Sequence, residues 1–443
     1  MDAILCSLQK KIFMRYTALG KSLYQTNRNN FKKQLPSNAI AVFNSNDIMP
    51  TNADGTMAFR QNNDLLYLTG IDQEESILVI FPDHPDEKQR EMLFLRETNE
   101  HIAIWEGHKY TKEEAQEASG IQNIYWTHQF ESIFNTLMPF ARKVFLNTNE
   151  HLRAVVEVET RDARFVKWCM AKYPLHHFER SAPIMQNLRA IKSHLEIEAL
   201  QEACRITELG FRRVLNFVKP GVQEYEIEAE YAHEFLRNRS KGFAYQPIIA
   251  SGANACVLHY IDNSLPCKDG DLLLMDVGAE YANYNGDMTR TIPVNGRFTK
   301  RQREVYDAVL SVKNYSKSIL RPGTTIPQYH KEVGEFMQGK LIELGLLDKT
   351  DVKNQNPDQP LYKKYFMHGT SHHIGLDVHD VGDIYRKIEP GMVFTVEPGI
   401  YIREENIGIR LENDIVIQEN GFLDLMKNIP IEAEEIEELM NSK

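Results

Sequence analysis

Two segments of this chain repeat one another. Gly270-Asp271-Leu272-Leu273-Leu274-Met275-Asp276-Val277-Gly278 aligns with Gly391-Met392-Val393-Phe394-Thr395-Val396-Glu397-Pro398-Gly399 at an offset of 121 residues. In each, an acid lies between two glycines near the end of an apolar run. The helices ahead of them break alike. One is opened by Ser193 with Glu196 as a capping box and stops at Lys219-Pro220-Gly221; the other is opened by Thr299 with Gln302 and stops at Arg321-Pro322-Gly323. A further helical stretch follows each break, with Phe235 and Phe336 in nearly equivalent places. Matching elements in matching order predict two related α+β halves around one sheet, from about residue 184 onward.

The repeat also pairs acids. A hairpin centred between Tyr281 and Ala282 sets Asp276 opposite Asp287, and a turn around Glu404-Glu405 sets Glu397 opposite Glu412. Directly opposed residues of an antiparallel pair have Cβ atoms about 4.5–5.5 Å apart, where like charges repel. Both sides of Leu272–Val277 are apolar, so this strand is expected to be buried. Four buried carboxylates need cations or shifted pKa values, and two divalent ions neutralise them. Histidines add to the pattern: His368, His372, His373 and His379 are four of the chain's 15, close together in a Gly-interrupted stretch expected to be loop and strand. His372 precedes Glu397 much as His259 precedes Asp276. An oxygen-rich donor set with one imidazole suits Mn²⁺ first, then Co²⁺, Fe²⁺ or Zn²⁺. Cys256, His259 and Cys267 lack a fourth ligand and a zinc-site spacing, so these cysteines are read as packing residues.

Ahead of the repeat, apolar runs at Ile40–Phe43, Ile77–Phe81, Met92–Leu95 and Val144–Leu146 alternate with charged stretches such as Lys112–Ala118, predicting an α/β domain. Ser181-Ala182-Pro183 marks the expected junction, giving domains 1–183 and 184–443. With 443 residues, 42% hydrophobic and 26% charged, the chain can build more than one core. A formal charge of -11 without a segregated basic patch argues against a nucleic-acid partner. The scattered Cys6, Cys169, Cys204, Cys256 and Cys267, with no CxxC, are expected to be free thiols of a reducing compartment. The start Met1-Asp2-Ala3-Ile4-Leu5-Cys6 lacks a signal-peptide core, and apolar runs fall short of the roughly 20 residues a membrane helix needs. The expectation is a cytoplasmic protein with no membrane partner.

At these residues the chain resembles the aminopeptidase P and prolidase family of pita-bread metallopeptidases. The resemblance runs through Leu274-Met275-Asp276-Val277-Gly278, Gly286-Asp287-Met288-Thr289-Arg290-Thr291, the stretch from His368 to Asp380, Glu397-Pro398-Gly399-Ile400-Tyr401 and Arg410-Leu411-Glu412-Asn413-Asp414. The stretch from Phe59 to Gly70 is similar to the family's creatinase-like first domain. The resemblance implies a creatinase-like α/β domain followed by a pseudo-two-fold α+β pita-bread catalytic domain. It implies Asp276, Asp287, His372, Glu397 and Glu412 as ligands of two divalent metal ions. Those ions would lower the pKa of a shared water, giving a hydroxide that attacks the peptide carbonyl. It further implies Glu397 as general base and then acid, His259 and His379 as stabilisers of the tetrahedral intermediate, His368 as a substrate-positioning group and Arg410 as an orienting group. The implied activity is release of the residue ahead of proline from peptides with proline at position 2, by a homodimer or homotetramer. Alternatives are a prolidase restricted to Xaa-Pro dipeptides and, from another class, a metal-free pita-bread binding module or creatinase-type hydrolase. His373 departs from the apolar residue usual after the histidine ligand and is read as having no role. Trp105, in Ile104-Trp105-Glu106-Gly107, resembles a segment that reaches a neighbouring subunit's substrate pocket, with a core role as the alternative.

Overall fold

The computed structural model describes residues 15–148 and 150–442. It divides into two compact units, one ending at Arg189 and the other beginning at Ala190 and including Arg15–Thr17. The division falls beyond Ser181-Ala182-Pro183 because those residues open a helix, Ala182–Ala190, and do not form a linker. The end of that helix is held on the first unit by Arg189, whose guanidinium pairs with Asp64 at 2.9 Å, both side chains being largely buried.

The first unit is built on a mixed sheet of six strands: β1 (Ala39–Asn44), β2 (Ile77–Ile80), β3 (Glu91–Leu95), β4 (Asn123–Trp126), β5 (Lys143–Leu146) and β6 (His177–Arg180), in the order β4-β3-β2-β1-β5-β6. All six residues of β1 are buried, as a central strand requires. One face of the sheet, with Ile40, Val42, Val79, Phe94 and Val144, packs on Phe130, Phe134 and Leu137 of the helix Phe130–Leu137 and on Cys169 of the helix Arg161–Lys172.

In the second unit the capped helices form as the sequence predicts: His194–Phe217 behind Ser193, then Glu224–Arg237, and Lys300–Ile319 behind Thr299, then Ile326–Glu343. The strands are β7 (Ile248–Ser251), β8 (Leu272–Val277), β9 (Glu280–Tyr281), β10 (Tyr284–Asn285), β11 (Met288–Pro293), β12 (Val393–Val396), β13 (Gly399–Ile402), β14 (Ile407–Arg410), β15 (Asn413–Ile417) and β16 (Phe422–Asp424). They assemble as β11-β8-β7 in one half and β12-β15-β16 with β13-β14 in the other. The seam between halves is hydrogen-bonded: the Glu412 N–H donates to the Thr289 carbonyl at 3.0 Å. The fully buried Arg290 guanidinium donates to the carbonyls of Thr289 (2.9 Å), Glu412 (2.6 Å) and Pro430 (2.9 Å) and to Asn413 Oδ1 (2.9 Å).

The first hairpin corrects one expectation. Asp276 lies opposite Thr289, and Met288 opposite Val277, so Asp287 is not its direct partner. The turn is centred on Ala282 and Asn283, both at positive φ (53° and 68°), the two-residue form whose twist matches the flanking strands. Moving the centre by one residue moves the register by two, so Asp276 and Asp287 become diagonal neighbours. Close approach fixes the base of this hairpin: a Cβ on Gly278 would lie 1.7 Å from the Gly286 carbonyl oxygen. The second hairpin keeps the expected register. Val396 pairs with Asn413 and Gly399 with Arg410, which brackets Glu397 and Glu412 at one position. The histidine-rich stretch is irregular chain, with one bridge between His373 and Phe394 in place of the expected strand.

Among the described residues, no helix is long and apolar enough to cross a membrane. Cys169, Cys204, Cys256 and Cys267 are free and buried, and Cys6 lies outside the described residues.

Candidate active site and metal centre

β8 and β11 bring Asp276 and Asp287 to one end of the first half's sheet, and the Tyr245 hydroxyl lies between them, 2.5 Å from Asp276 Oδ1 and 2.6 Å from Asp287 Oδ1. The Arg410 guanidinium, on β14, reaches across the seam: Nη2 donates to Asp276 Oδ2 at 2.5 Å, Nη1 to the Tyr401 hydroxyl at 2.8 Å and Nε to Thr289 Oγ1 at 3.0 Å. Thr289 in turn donates to Glu412 Oε2 at 2.6 Å. Asp287 is held from behind as well, since its N–H donates to Asp414 Oδ2 at 3.0 Å.

His372 completes the group. Its Nδ1–H donates to the His373 carbonyl at 2.9 Å, which fixes the tautomer and turns the Nε2 lone pair towards Asp287 Oδ2 and Glu397 Oε1, each 3.5 Å away. Asp287, His372 and Glu412 each offer one ligand atom, and these atoms all lie within 4.8 Å of one another. The His379 ring stands perpendicular to that of His372, with centroids 4.3 Å apart. His368 Nδ1–H donates to the Gly369 carbonyl at 2.8 Å, while Nε2 accepts from the Tyr401 hydroxyl at 2.8 Å; Glu397 Oε2 is 3.7 Å from its Nδ1. His259 is exposed on the chain that follows the Gly252–Cys256 turn, and its neighbours Leu258 and Tyr260 pack on a cluster that contains Leu274 and Tyr401.

The electrostatics show what the site demands. Burial, and next the Asp276 carboxylate, push the Asp287 carboxyl well above the ordinary range. Burial, with Asp287 and Glu397 next, does the same to Glu412. Burial pushes Glu397 up to about 7 against the opposing pull of His372. Burial and the nearby Arg410 charge hold His368 down at about 3, in keeping with a neutral ring. Four carboxylates thus gather near one guanidinium, and burial raises three of them, Asp287, Glu397 and Glu412. An oxygen-rich set with one imidazole lone pair aimed into it fits divalent metal ions of the Mn²⁺, Co²⁺, Fe²⁺ or Zn²⁺ type.

All nine predicted site positions can be located. Asp276, Asp287, His372, Glu397, Glu412, Arg410, His368 and His379 form one connected group, with His259 at its edge. His373 is buried, its ring packed on Phe394 at 4.3 Å between centroids. Trp105 is 77% exposed and so takes no core role. Tyr245 and Thr289 were not singled out by the sequence. A lone tyrosine far upstream of Asp276 carries no local signal, and Thr289 becomes readable only once the register is known.

The first unit matches the aminopeptidase P N-terminal domain over residues 24–145, and the second matches metallopeptidase family M24 over residues 198–419. The chain is 35% identical to the Xaa-Pro aminopeptidase of Escherichia coli, covering 95% of this chain and 98% of that one. The chain belongs to metallopeptidase family M24. Human Xaa-Pro aminopeptidase 3 is 30% identical, with 89% of this chain and 78% of the relative covered. Among solved structures, aminopeptidase P from E. coli with the inhibitor Pro-Leu superposes with a TM-score of 0.85 at 34% identity, covering 96% and 99% of the two chains. Proline aminopeptidase P II from Yersinia pestis gives 0.85 at 32% identity, covering 96% and 100%. As an M24 member with both domains of aminopeptidase P, the protein is a metal-dependent exopeptidase with the two-domain fold its sequence predicts.

Proposed function

We propose that this M24 peptidase is an Xaa-Pro aminopeptidase that works with two divalent ions, manganese first, held by Asp276, Asp287, His372, Glu397 and Glu412. The observation that carries the reading is the convergence of four carboxylates and the His372 Nε2 lone pair on one place, where Arg410 pairs with Asp276. When bound, the ions supply Lewis acidity and bring the ionisation of a water into the neutral range.

The chain's own groups then have distinct tasks. Glu397, with its carboxyl pushed up to about 7, is suited to take a proton near neutral pH and return it to the leaving nitrogen. Arg410 keeps Asp276 oriented through Nη2 and leaves Thr289 to orient Glu412. His368, held neutral and fixed at both nitrogens, presents a set edge against which substrate is positioned. His259 and His379, both exposed, are the donors for the oxyanion of the tetrahedral intermediate.

Specificity for proline at position 2 rests on the relatives named Xaa-Pro aminopeptidase. A peptide panel tests it with chelated and manganese-restored protein: release of residue one only when proline is second, and only after restoration, is expected. Turnover of Xaa-Pro dipeptides but not Xaa-Pro-Xaa tripeptides would make the protein a prolidase. Full activity without metal would favour a creatinase-type hydrolase. The exposed Ile104 and Trp105 support assembly as a homodimer or homotetramer, tested by sedimentation. Buried free thiols agree with a cytoplasmic site.

A further inference from the structure

Outside the metal centre, the second unit buries another carboxylate that no cation among the described residues meets in an ion pair. Glu224, the first residue of the helix Glu224–Arg237, is fully buried. Its Oε1 accepts from the Ser251 N–H at 2.8 Å and the Ser251 hydroxyl at 2.6 Å; its Oε2 accepts from the Tyr260 hydroxyl at 2.8 Å and the Leu265 N–H at 2.9 Å. Four donors fill the acceptor capacity of an ionised carboxylate, and the helix N-terminus favours a negative charge there. One turn along the same helix, Glu228 accepts from Asn263 Nδ2 at 2.8 Å, and Asn263 Oδ1 accepts from the Ile249 N–H at 2.9 Å.

Every one of these donors lies on β7 or on the chain that runs from it to Cys267, and that chain carries His259. Part of the segment lacks apolar anchorage, since Val257, Ile261 and Leu265 are each about half exposed. The residues on either side of His259, Leu258 and Tyr260, pack on a cluster that contains Leu274 and Tyr401, while His259 itself is exposed. The Tyr260 hydroxyl is thus the polar anchor nearest to His259. A buried carboxylate satisfied by neutral donors, all on β7 and the chain that leaves it, acts as a clamp on that chain's path and not as a charge partner.

We infer that Glu224, acting through Tyr260, is a positioning residue that sets the place of His259 over the reacting carbonyl. This rests on the reading of His259 as a donor to the tetrahedral intermediate. Displacing such a donor by about 1 Å costs on the order of a hundredfold in rate, so loss of one anchor among several is expected to cost about tenfold. The decisive variants are Tyr260→Phe, which removes one hydroxyl and leaves the Ser251 and Leu265 anchors, His259→Ala, and the double variant, all assayed as metal-loaded protein on an Xaa-Pro-Xaa tripeptide. Tyr260→Phe is expected to lower kcat about tenfold with KM and the melting midpoint nearly unchanged, and to have no further effect once His259 is alanine. In Glu224→Gln, whose amide faces donors, the Ser251 and Leu265 amides are expected to exchange with deuterium faster than in the parent. Equal losses from Tyr260→Phe with and without His259, or an unchanged kcat, would overturn the inference while leaving His259's role intact. A silent His259→Ala would overturn that role and the inference with it.

Discussion

The two hairpins that carry the acids solve one problem in different ways. In the first half the acids are staggered: Asp276 faces Thr289, and the Tyr245 hydroxyl fills the diagonal between Asp276 and Asp287. In the second half Glu397 and Glu412 share a register position, but Glu412 turns its backbone and carboxylate across the seam to Thr289. Each half therefore relieves repulsion by giving its acids a hydroxyl partner, one from a distant tyrosine and one from the opposite half. The repeat supplies the scaffold, while the non-repeated residues Tyr245 and Thr289 adjust it.

The largest effects test whether both halves serve one centre. Asp287→Asn and Glu412→Gln are each expected to remove bound metal, measured by atomic emission, and to lower kcat/KM by about a thousandfold or more. A half whose variant kept activity would break the comparison. Next come the hydroxyls: Tyr245→Phe and Thr289→Val should each weaken metal affinity by roughly ten- to a hundredfold in a chelator competition. A silent Tyr245→Phe would show that staggered acids need no bridge.

Metal removal has a pH signature. A carboxyl whose pKa is raised by folding binds its proton more tightly in the native state, so its contribution is full below the unfolded pKa and is lost as pH rises through the folded one. For Glu397 this window runs from 4.5 to about 7. The chelated protein is expected to lose thermal stability across it, and the metal-loaded protein to hold a flatter profile, both read by calorimetry. The smallest effect lies in the turns. Ala282 sits at φ 53°, where a Cβ is strained, so Ala282→Gly should stabilise by about 0.5 kcal/mol in urea titrations. Asn406, also at φ 53°, is a residue type that tolerates this region, and Asn406→Gly should change stability by only about a tenth or two of that unit.

These contrasts explain what the sequence could disclose. Caps, helix breaks and strand periods are written within a few residues, so Ser193, Thr299 and Leu272–Val277 were readable at once. The second hairpin was also readable, because its turn lies midway between two clear apolar strands. The first was displaced by two residues in register because its tight turn is set by backbone φ at Ala282 and Asn283, which hydrophobic pattern does not encode. The carboxylates and His372 stood out by type and spacing, and the roles proposed for them are those the family resemblance implies. Tyr245 and Glu224 stayed silent because their importance comes from what folding brings to them.

Arg290 has a last consequence. With its guanidinium committed to backbone carbonyls of both halves and of the chain near Pro430, separating the halves would leave several hydrogen-bonding groups stranded away from water. The seam therefore cannot serve as a hinge during turnover.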